Sequence, residues 1–391
     1  MKSNRLLIIL FTLFAGAMLA IGRFYDHRLE VYGVNLTIIL SSIYSIILIC
    51  IFLLIKKSEL TFSKILQYSF FSIAILSNLV LWIFYDFNEY GLIKFLNFIL
   101  ITIPISVIIS ERFSRKDAKT LIWVLFGISF MLLSISLINI SSLAENRSGV
   151  LGGGPIILSR WLCLGAIISF FHPKLKKYRI ILFPLFIIVA LFTGSRGPIA
   201  SILITMTLYF FLNFRKLFWR FIVLLSLLIS LVFITGFHNQ LLEVKTVSRV
   251  FMNVQDGGGG KSTSGRTILF QTSIDEIIEY PLGVGFGNWE VYSKDRSTLS
   301  LKKLFYPHNL LLEILCEMGF VTSIIFILYV VFILLNTIIK LKNNVGLNIL
   351  FYTFAFLLLN SMISGDLSDA RLLFVVLSLL SIKEIRNVNN L

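Results

Sequence analysis

Arg196 stands in the stretch LFTGSRGPIA, residues 191–200, between two strongly apolar runs. Its guanidinium stays ionised and presents five donors in a rigid fork. A full charge near membrane depth is costly unless something answers it, so the position asks for an anion. Two further residues share its setting. Arg266 follows STSG and opens an amphipathic segment, and His308 follows Pro307 at the start of an apolar helical run. Pro198 suits the first turn of a helix, and all three residues are expected at helix N-termini. There, free N–H groups and the positive dipole end favour anions. Two arginine forks beside such termini describe a pocket for a phosphate or pyrophosphate, which Arg grips with paired hydrogen bonds. His308 has the ordinary pKa suited to proton abstraction near neutrality. Nearby arginines and a helix N-terminus would keep it neutral.

The remaining charges on the same side are weaker candidates. Arg160 lies several residues inside an apolar run, while Arg147 and Arg249 sit in loops. Such arginines often snorkel to head-groups or stay solvated, and Arg196 and Arg266 carry that plainer reading too. Glu313 and Glu317, one helical turn apart, would orient groups near His308 or pair with arginines, and Asn309 is a supporting candidate. Asp366 and Asp369 have Arg371 at hand as a pairing partner. His27, His172 and His238 are scattered, and no spacing matches a metal motif, so neither metal nor cofactor is expected. Cys50, Cys163 and Cys316 lie in apolar stretches without paired spacing and read as small buried hydrophobes.

What must position these residues is a membrane-embedded scaffold. Hydrophobic residues make up 57% of the 391, and charged ones only 14%, which excludes an ordinary soluble globular chain. Apolar runs long enough to cross a hydrocarbon core recur at 5–22, 31–55, 62–84, 92–109, 120–140, 155–171, 179–193, 197–213, 217–236, 319–339, 346–363 and 370–385. The expected fold is therefore all-α and polytopic, a single membrane domain over 1–391 with about twelve transmembrane helices. The first run ends in AGAMLA, small residues that a signal peptide would also show. Its short n-region, with only Lys2 and Arg5, favours a retained helix. Alternate loops and both termini hold 20 of the 35 Lys and Arg, against no such excess in the intervening loops. That is the positive-inside pattern, which puts both termini in the cytoplasm. The net charge of +15 is thus topology and not a nucleic-acid footprint.

Two outer loops are long. One is SSLAENRSGVLGGGP, and the other covers about 237–307, with eight Lys and Arg against seven Asp and Glu. Within it, GRTILFQTSIDEIIEYP puts Phe270, Ile274, Ile277 and Ile278 on one helical face. Gln271, Asp275, Glu276 and Glu279 take the other, and Pro281 ends the run. The spacing predicts a short helix on or near the membrane surface. QDGGGGKST resembles a phosphate-binding loop, but Gln255 stands where that pattern requires Gly, and a flexible linker is expected. LGVGFGNW reads as a Gly-rich turn region. YPHNLLLEILCEMG with the following span is too long for one crossing, so a bent or re-entrant helix is expected to break near Gly319.

TGSRG, SGRTILF…EYPLGVGFGN and PHNLLLEILCEMGF, taken in order over about residues 190–320, resemble the signature blocks of the O-antigen polymerase and O-antigen ligase superfamily. The resemblance implies a GT-C-like glycosyltransferase of the bacterial cytoplasmic membrane with its active site on the outer face. It implies an inverting, metal-independent transfer of glycan from undecaprenyl pyrophosphate. Arg196 and Arg266 would hold the pyrophosphate and His308 would act as base. NRSGVLGGGPIILSRW is a looser match to the family's earlier block, which extends the pyrophosphate role to Arg160 and Arg147, with Arg249 in support. Implied partners are the lipid-linked donor and acceptor, membrane lipids and a chain-length regulator, with no nucleic acid.

A polymerase passes the growing chain to another lipid-linked repeat unit, whereas a ligase passes it to the densely phosphorylated lipid A-core. The near-neutral outer loop favours the polymerase. A flippase would show internal repeats and midplane charges, and here the charges gather at the outer ends. A non-enzymatic assembly partner is the remaining alternative.

Overall fold

A computed structural model describes residues 2–26, 29–31, 34–54, 59–85, 88–140, 154–214, 219, 223, 226–227, 230, 259–293, 306–341 and 345–382. The apolar runs are helices: α1 (Lys2–Ile21), α2 (Leu36–Leu54), α3 (Phe62–Phe84), α4 (Glu89–Arg112) and α5 (Arg115–Ile138). They continue as α6 (Pro155–Phe171), α7 (Arg179–Phe192) and α8 (Arg196–Asn213). Beyond residue 258 come α9 (Gly259–Glu279), α10 (Trp289–Ser293), α11 (Leu310–Leu341), α12 (Val345–Ile363) and α13 (Arg371–Ser381). A two-residue antiparallel pair, Glu30–Val31 with Val34–Asn35, sets Glu30 opposite Asn35.

Six helices, α2, α3, α4, α5, α11 and α12, are long and apolar enough to cross a membrane, and the chain is a multi-pass membrane protein. The expected twelve crossings are not reached among the described residues. α1, α6, α7 and α13 are apolar but shorter. At 1.5 Å per residue, the 14 residues of α7 extend only about 21 Å, against a hydrocarbon core of about 30 Å. The expected span at 217–236 falls almost wholly outside the described residues.

Local sequence explains several boundaries. Asn88 caps α4 by accepting from the Gly91 N–H at 2.6 Å. Ser114 starts α5, and its N–H and hydroxyl both donate to Asp117, a capping arrangement that satisfies orphan first-turn donors. A π turn at Phe98–Thr102 precedes Pro104 within α4. The missing proline N–H and its ring make a regular i→i−4 ladder unfavourable there.

The chain forms two compact units, Met1–Leu125 with Thr263–Leu391, and Phe126–Ser262. In the first, every residue of α13 is buried, Arg371, Ser378 and Ser381 included, and Ser378 accepts a hydrogen bond from Gln67 Nε2 at 2.9 Å. Its Phe374 stacks on Phe70 at 5.6 Å and meets Phe326 at 5.9 Å, while Phe98 meets Phe286 at 5.7 Å. In the second unit, α6 and α7 pack closely because Gly165 has no side chain: a Cβ there would stand 2.5 Å from the Phe186 ring.

The segment from residue 259 to 293 differs from expectation. α9 begins at Gly259, so the stretch expected as linker is already helical from that point. Its inward face carries Leu269, Thr272, Ser273, Glu276 and Ile277, whereas Ile274 and Ile278 are 45% and 74% exposed. The physical reason is close packing. Small Ser273 admits Trp289, whose indole donates to its hydroxyl at 3.0 Å, and Cys316, whose thiol donates to its carbonyl at 3.5 Å. Cys163 is buried too, Cys50 is half-buried, and all three cysteines are free thiols.

Candidate functional site

The site begins with a broken helix. Gly319 has φ 79° and ψ −179° inside α11, which separates a short N-terminal piece, residues 310–318, from the long remainder. Such a φ suits glycine, and a Cβ there would lie 2.3 Å from the Leu282 carbonyl oxygen. The Gly-rich turn fills the break. Val284 and Gly285 donate their N–H groups to the Cys316 and Glu317 carbonyls, each at 2.9 Å, and the Phe320 N–H donates to Pro281 at 3.0 Å. The turn is fixed from below as well: the Phe286 N–H donates to Asn78 Oδ1 at 2.6 Å, and Asn88 Nδ2 donates to the Gly287 carbonyl at 3.0 Å. The expected break and turn region are both present, locked to one another by backbone hydrogen bonds.

Asn309 caps the short piece. Its Oδ1 accepts from the N–H groups of Leu311 and Leu312 at 3.0 and 3.1 Å, and its Nδ2 donates to the Met362 carbonyl at 3.0 Å. His308 immediately precedes this cap with φ 58°, the one non-glycine residue at positive φ among the described residues. Non-glycine residues hold that conformation at a cost, and such strain clusters at functional sites. The Tyr306 ring meets the imidazole edge-on at 4.4 Å. Burial, then the positive charge of Arg266, depress the His308 pKa to about 4, with Asp369 opposing them. His308 is therefore neutral at physiological pH. Arg266 reaches this neighbourhood from within α9, several residues past Gly259, and not from a helix N-terminus as the sequence implied; the helix starts earlier than the apolar pattern indicated.

Behind His308 lies a buried charge cluster that sequence reasoning missed. Lys94 of α4 forms ion pairs with Glu313 and, at 2.5 Å, with Glu317; all three side chains are at most 1% exposed. The two glutamates thus pair with a lysine and not with arginines. The available signal was a lone Lys inside an apolar run, YGLIKFLNFIL, where an ionisable residue requires a partner. Tyr90, one turn before Lys94, donates its hydroxyl to Asp366 Oδ2 at 3.2 Å. Burial and Asp369 hold the Asp366 carboxyl above its ordinary range. Asp369, not Asp366, makes the ion pair with Arg371, at 3.7 Å. Arg371 also donates to the Leu19 and Ser368 carbonyls, both at 2.7 Å, and serves to fasten the end of α1.

The unit Phe126–Ser262 carries the other arginines. Arg196 is the first residue of α8, after the N-cap Ser195, as expected. Arg160 is in α6 and only 4% exposed. Short connections at 172–178 and 193–195 make α6, α7 and α8 alternate in direction, so α6 and α8 start on the same side of this unit. Arg147 and Arg249 lie outside the described residues. Among the described residues, no three His, Cys, Asp or Glu side chains form a metal-binding group.

No curated protein matches the chain. A family model described as O-antigen ligase matches residues 181–327. That segment contains Arg196, Arg266, His308, Asn309, Glu313, Glu317 and the Gly319 break, and leaves Lys94 and Arg160 outside. The matched segment is consistent with the O-antigen polymerase and ligase superfamily that the sequence motifs resemble.

Proposed function

We propose that the protein is a polysaccharide polymerase of the bacterial cytoplasmic membrane. It moves a growing glycan from undecaprenyl pyrophosphate to a hydroxyl of another lipid-linked repeat unit on the outer face. The observation that carries this reading is His308: a neutral imidazole in a left-handed backbone conformation beside Arg266, within the region that matches the O-antigen ligase family. In the proposed step, the acceptor hydroxyl oxygen attacks the anomeric carbon and His308 takes its proton. The anomeric C–O bond to the pyrophosphate breaks, that oxygen keeps the electron pair, and the configuration inverts. Arg196, Arg266, Arg160 and Arg147, with Arg249 in support, would hold the pyrophosphate. Their fixed charges stabilise the negative charge that grows on the leaving group, and the two bound lipids supply proximity. Cleaving the donor bond supplies the driving force, so no nucleotide is needed. A chain-length regulator fits as partner of such a polymerase.

Ligation to lipid A-core is the second reading, favoured by the wording of the matched family. The near-neutral balance of the loop 237–307 favours polymerisation, because lipid A-core is densely phosphorylated. Deletion followed by analysis of surface glycan decides. Chains of a single repeat unit support the polymerase. Full-length polymer left on the lipid carrier replaces it with the ligase, and carrier-linked units trapped inside replace it with a flippase.

A further inference from the structure

The piece of α11 between His308 and Gly319 is too short to hold its own conformation, yet it directly follows the residue on which the chemistry turns. Asn309 fixes its start and the Gly-rich turn fixes its end. Its middle is held by Lys94, whose ammonium lies between Glu313 and Glu317 one turn apart. The Lys94 ammonium also stands 5.7 Å from the Phe286 ring of the Gly-rich turn and 6.0 Å from the Tyr90 ring. Tyr90 in turn donates to Asp366, in the same loop as Asp369, whose charge acts on His308. One buried cation thus joins the short helix and the Gly-rich turn, and through Tyr90 the loop before α13.

We propose that Lys94 is a positioning residue for His308. Its ammonium sets the register and tilt of the helical piece 310–318 through Glu313 and Glu317, and so fixes where the imidazole meets the acceptor hydroxyl. This inference rests on His308 being the base. Lys94 itself touches neither substrate nor the reacting atoms. The assignment uses a residue outside the segment that matches the O-antigen ligase family, and so gives α4 a part in the reaction.

The test needs variants that fold. Lys94→Met alone would strand two buried carboxylates, which is strongly destabilising. Glu317→Gln keeps a balanced Lys94–Glu313 pair and removes one of the two anchors. The combination Lys94→Met/Glu313→Gln/Glu317→Gln removes all three charges with little change of volume. Each full-length protein is purified, checked by melting temperature, and assayed with the lipid-linked repeat units that accumulate in cells lacking the protein. Misplacing a reacting group by an ångström costs on the order of a hundredfold, so kcat should fall at least tenfold in both variants, with KM changed by less than about twofold. Glu317→Gln tests the idea even if the triple variant does not fold. Wild-type kcat in a folded variant would reduce Lys94 to charge compensation, and a rise in KM at constant kcat would move it to substrate binding. The same changes in a His308→Gly background separate the two readings. If Lys94 acts through His308, they cause no further loss there. A further, additive loss would overturn the positioning role. A His308→Gly protein with wild-type kcat would instead remove the base itself.

Discussion

His308 holds a backbone conformation that glycine adopts more easily, which separates its side-chain chemistry from its contribution to folding. His308→Gly relieves the strain at φ 58° and removes only the imidazole. The purified variant should melt at or above the wild-type temperature while losing roughly 10²–10⁴-fold in rate, the usual contribution of a general base. Added imidazole should restore part of that rate. A variant that keeps more than a tenth of wild-type activity would make His308 a packing residue. The pH dependence follows from the same environment. Only neutral imidazole accepts a proton, so activity falls as pH drops through the folded pKa. With that pKa lowered to about 4 by burial and Arg266, kcat/KM should be flat through neutrality and show its acid limb near pH 4. A limb at the ordinary 6.5 would mean that the imidazole is solvated in the working enzyme. In the donor complex, the pyrophosphate charge favours imidazolium, so the kcat limb should lie at higher pH than the kcat/KM limb. Arg196 is tested by Arg196→Lys, which keeps the charge and loses the planar fork. Forfeiting one charge-assisted hydrogen bond, about 1.5–3 kcal/mol, should lower kcat/KM roughly ten- to hundredfold; normal polymer length and yield would make Arg196 a head-group anchor.

The break in α11 acts through geometry that only glycine permits. Gly319→Ala would place a Cβ 2.3 Å from the Leu282 carbonyl oxygen at φ 79°, a strained conformation costing about 1–3 kcal/mol before the clash is counted. It should lower the melting temperature and, by displacing the Gly-rich turn, reduce activity more than Gly127→Ala, whose added Cβ would meet nothing within 4 Å. Equal behaviour of the two variants would show that the break does not shape the site. The break was legible in the sequence because YPHNLLLEILCEMG and its following span exceed one crossing, and Gly319 is the natural place to interrupt them. The inward face of α9 was not legible. Periodicity identifies an apolar stripe but not which neighbour covers it, and here Thr272 and Ser273 face inward because Trp289 and Cys316 need close approach, leaving Ile274 and Ile278 outward. Arg266 was misplaced for a related reason: Gly259 to Thr263 carry no apolar signal, so the helix start was read too late. Lys94 was passed over because a single charge hardly alters the hydropathy of its run, while its carboxylate partners lie more than 200 residues away in sequence.

At the scale of the whole molecule, hydropathy located the helices well, and six of the twelve expected crossings have their long apolar helix among the described residues. The runs at 155–171 and 179–193 are the helices α6 and α7, of 17 and 14 residues, shorter than the six long apolar helices. Apolar composition specifies burial in lipid or in protein alike, and α13, buried along its whole length, satisfies it within the protein. Orientation rests on a different physical quantity, the distribution of Lys and Arg between alternate loops, and it decides whether the chemistry meets substrates delivered to the outer face. Of the 35 Lys and Arg, 20 lie in the loops and termini expected in the cytoplasm, and the same pattern predicts that the loop 237–307, which holds Arg266, and His308 just after it lie outside. Gly258, just before α9, gives a test that leaves the candidate site untouched. In a background with Cys50, Cys163 and Cys316 changed to serine or alanine and activity retained, Gly258→Cys should react with a membrane-impermeant maleimide in cells whose cytoplasmic membrane is intact. A cysteine introduced in the basic loop at Lys176 should react only after lysis. The opposite pattern would put the basic loops outside and the Gly-rich turn inside. His308 would then face the cytoplasm, where an outer-face glycan transfer has no acceptor, and the proposed reaction would fall with the topology.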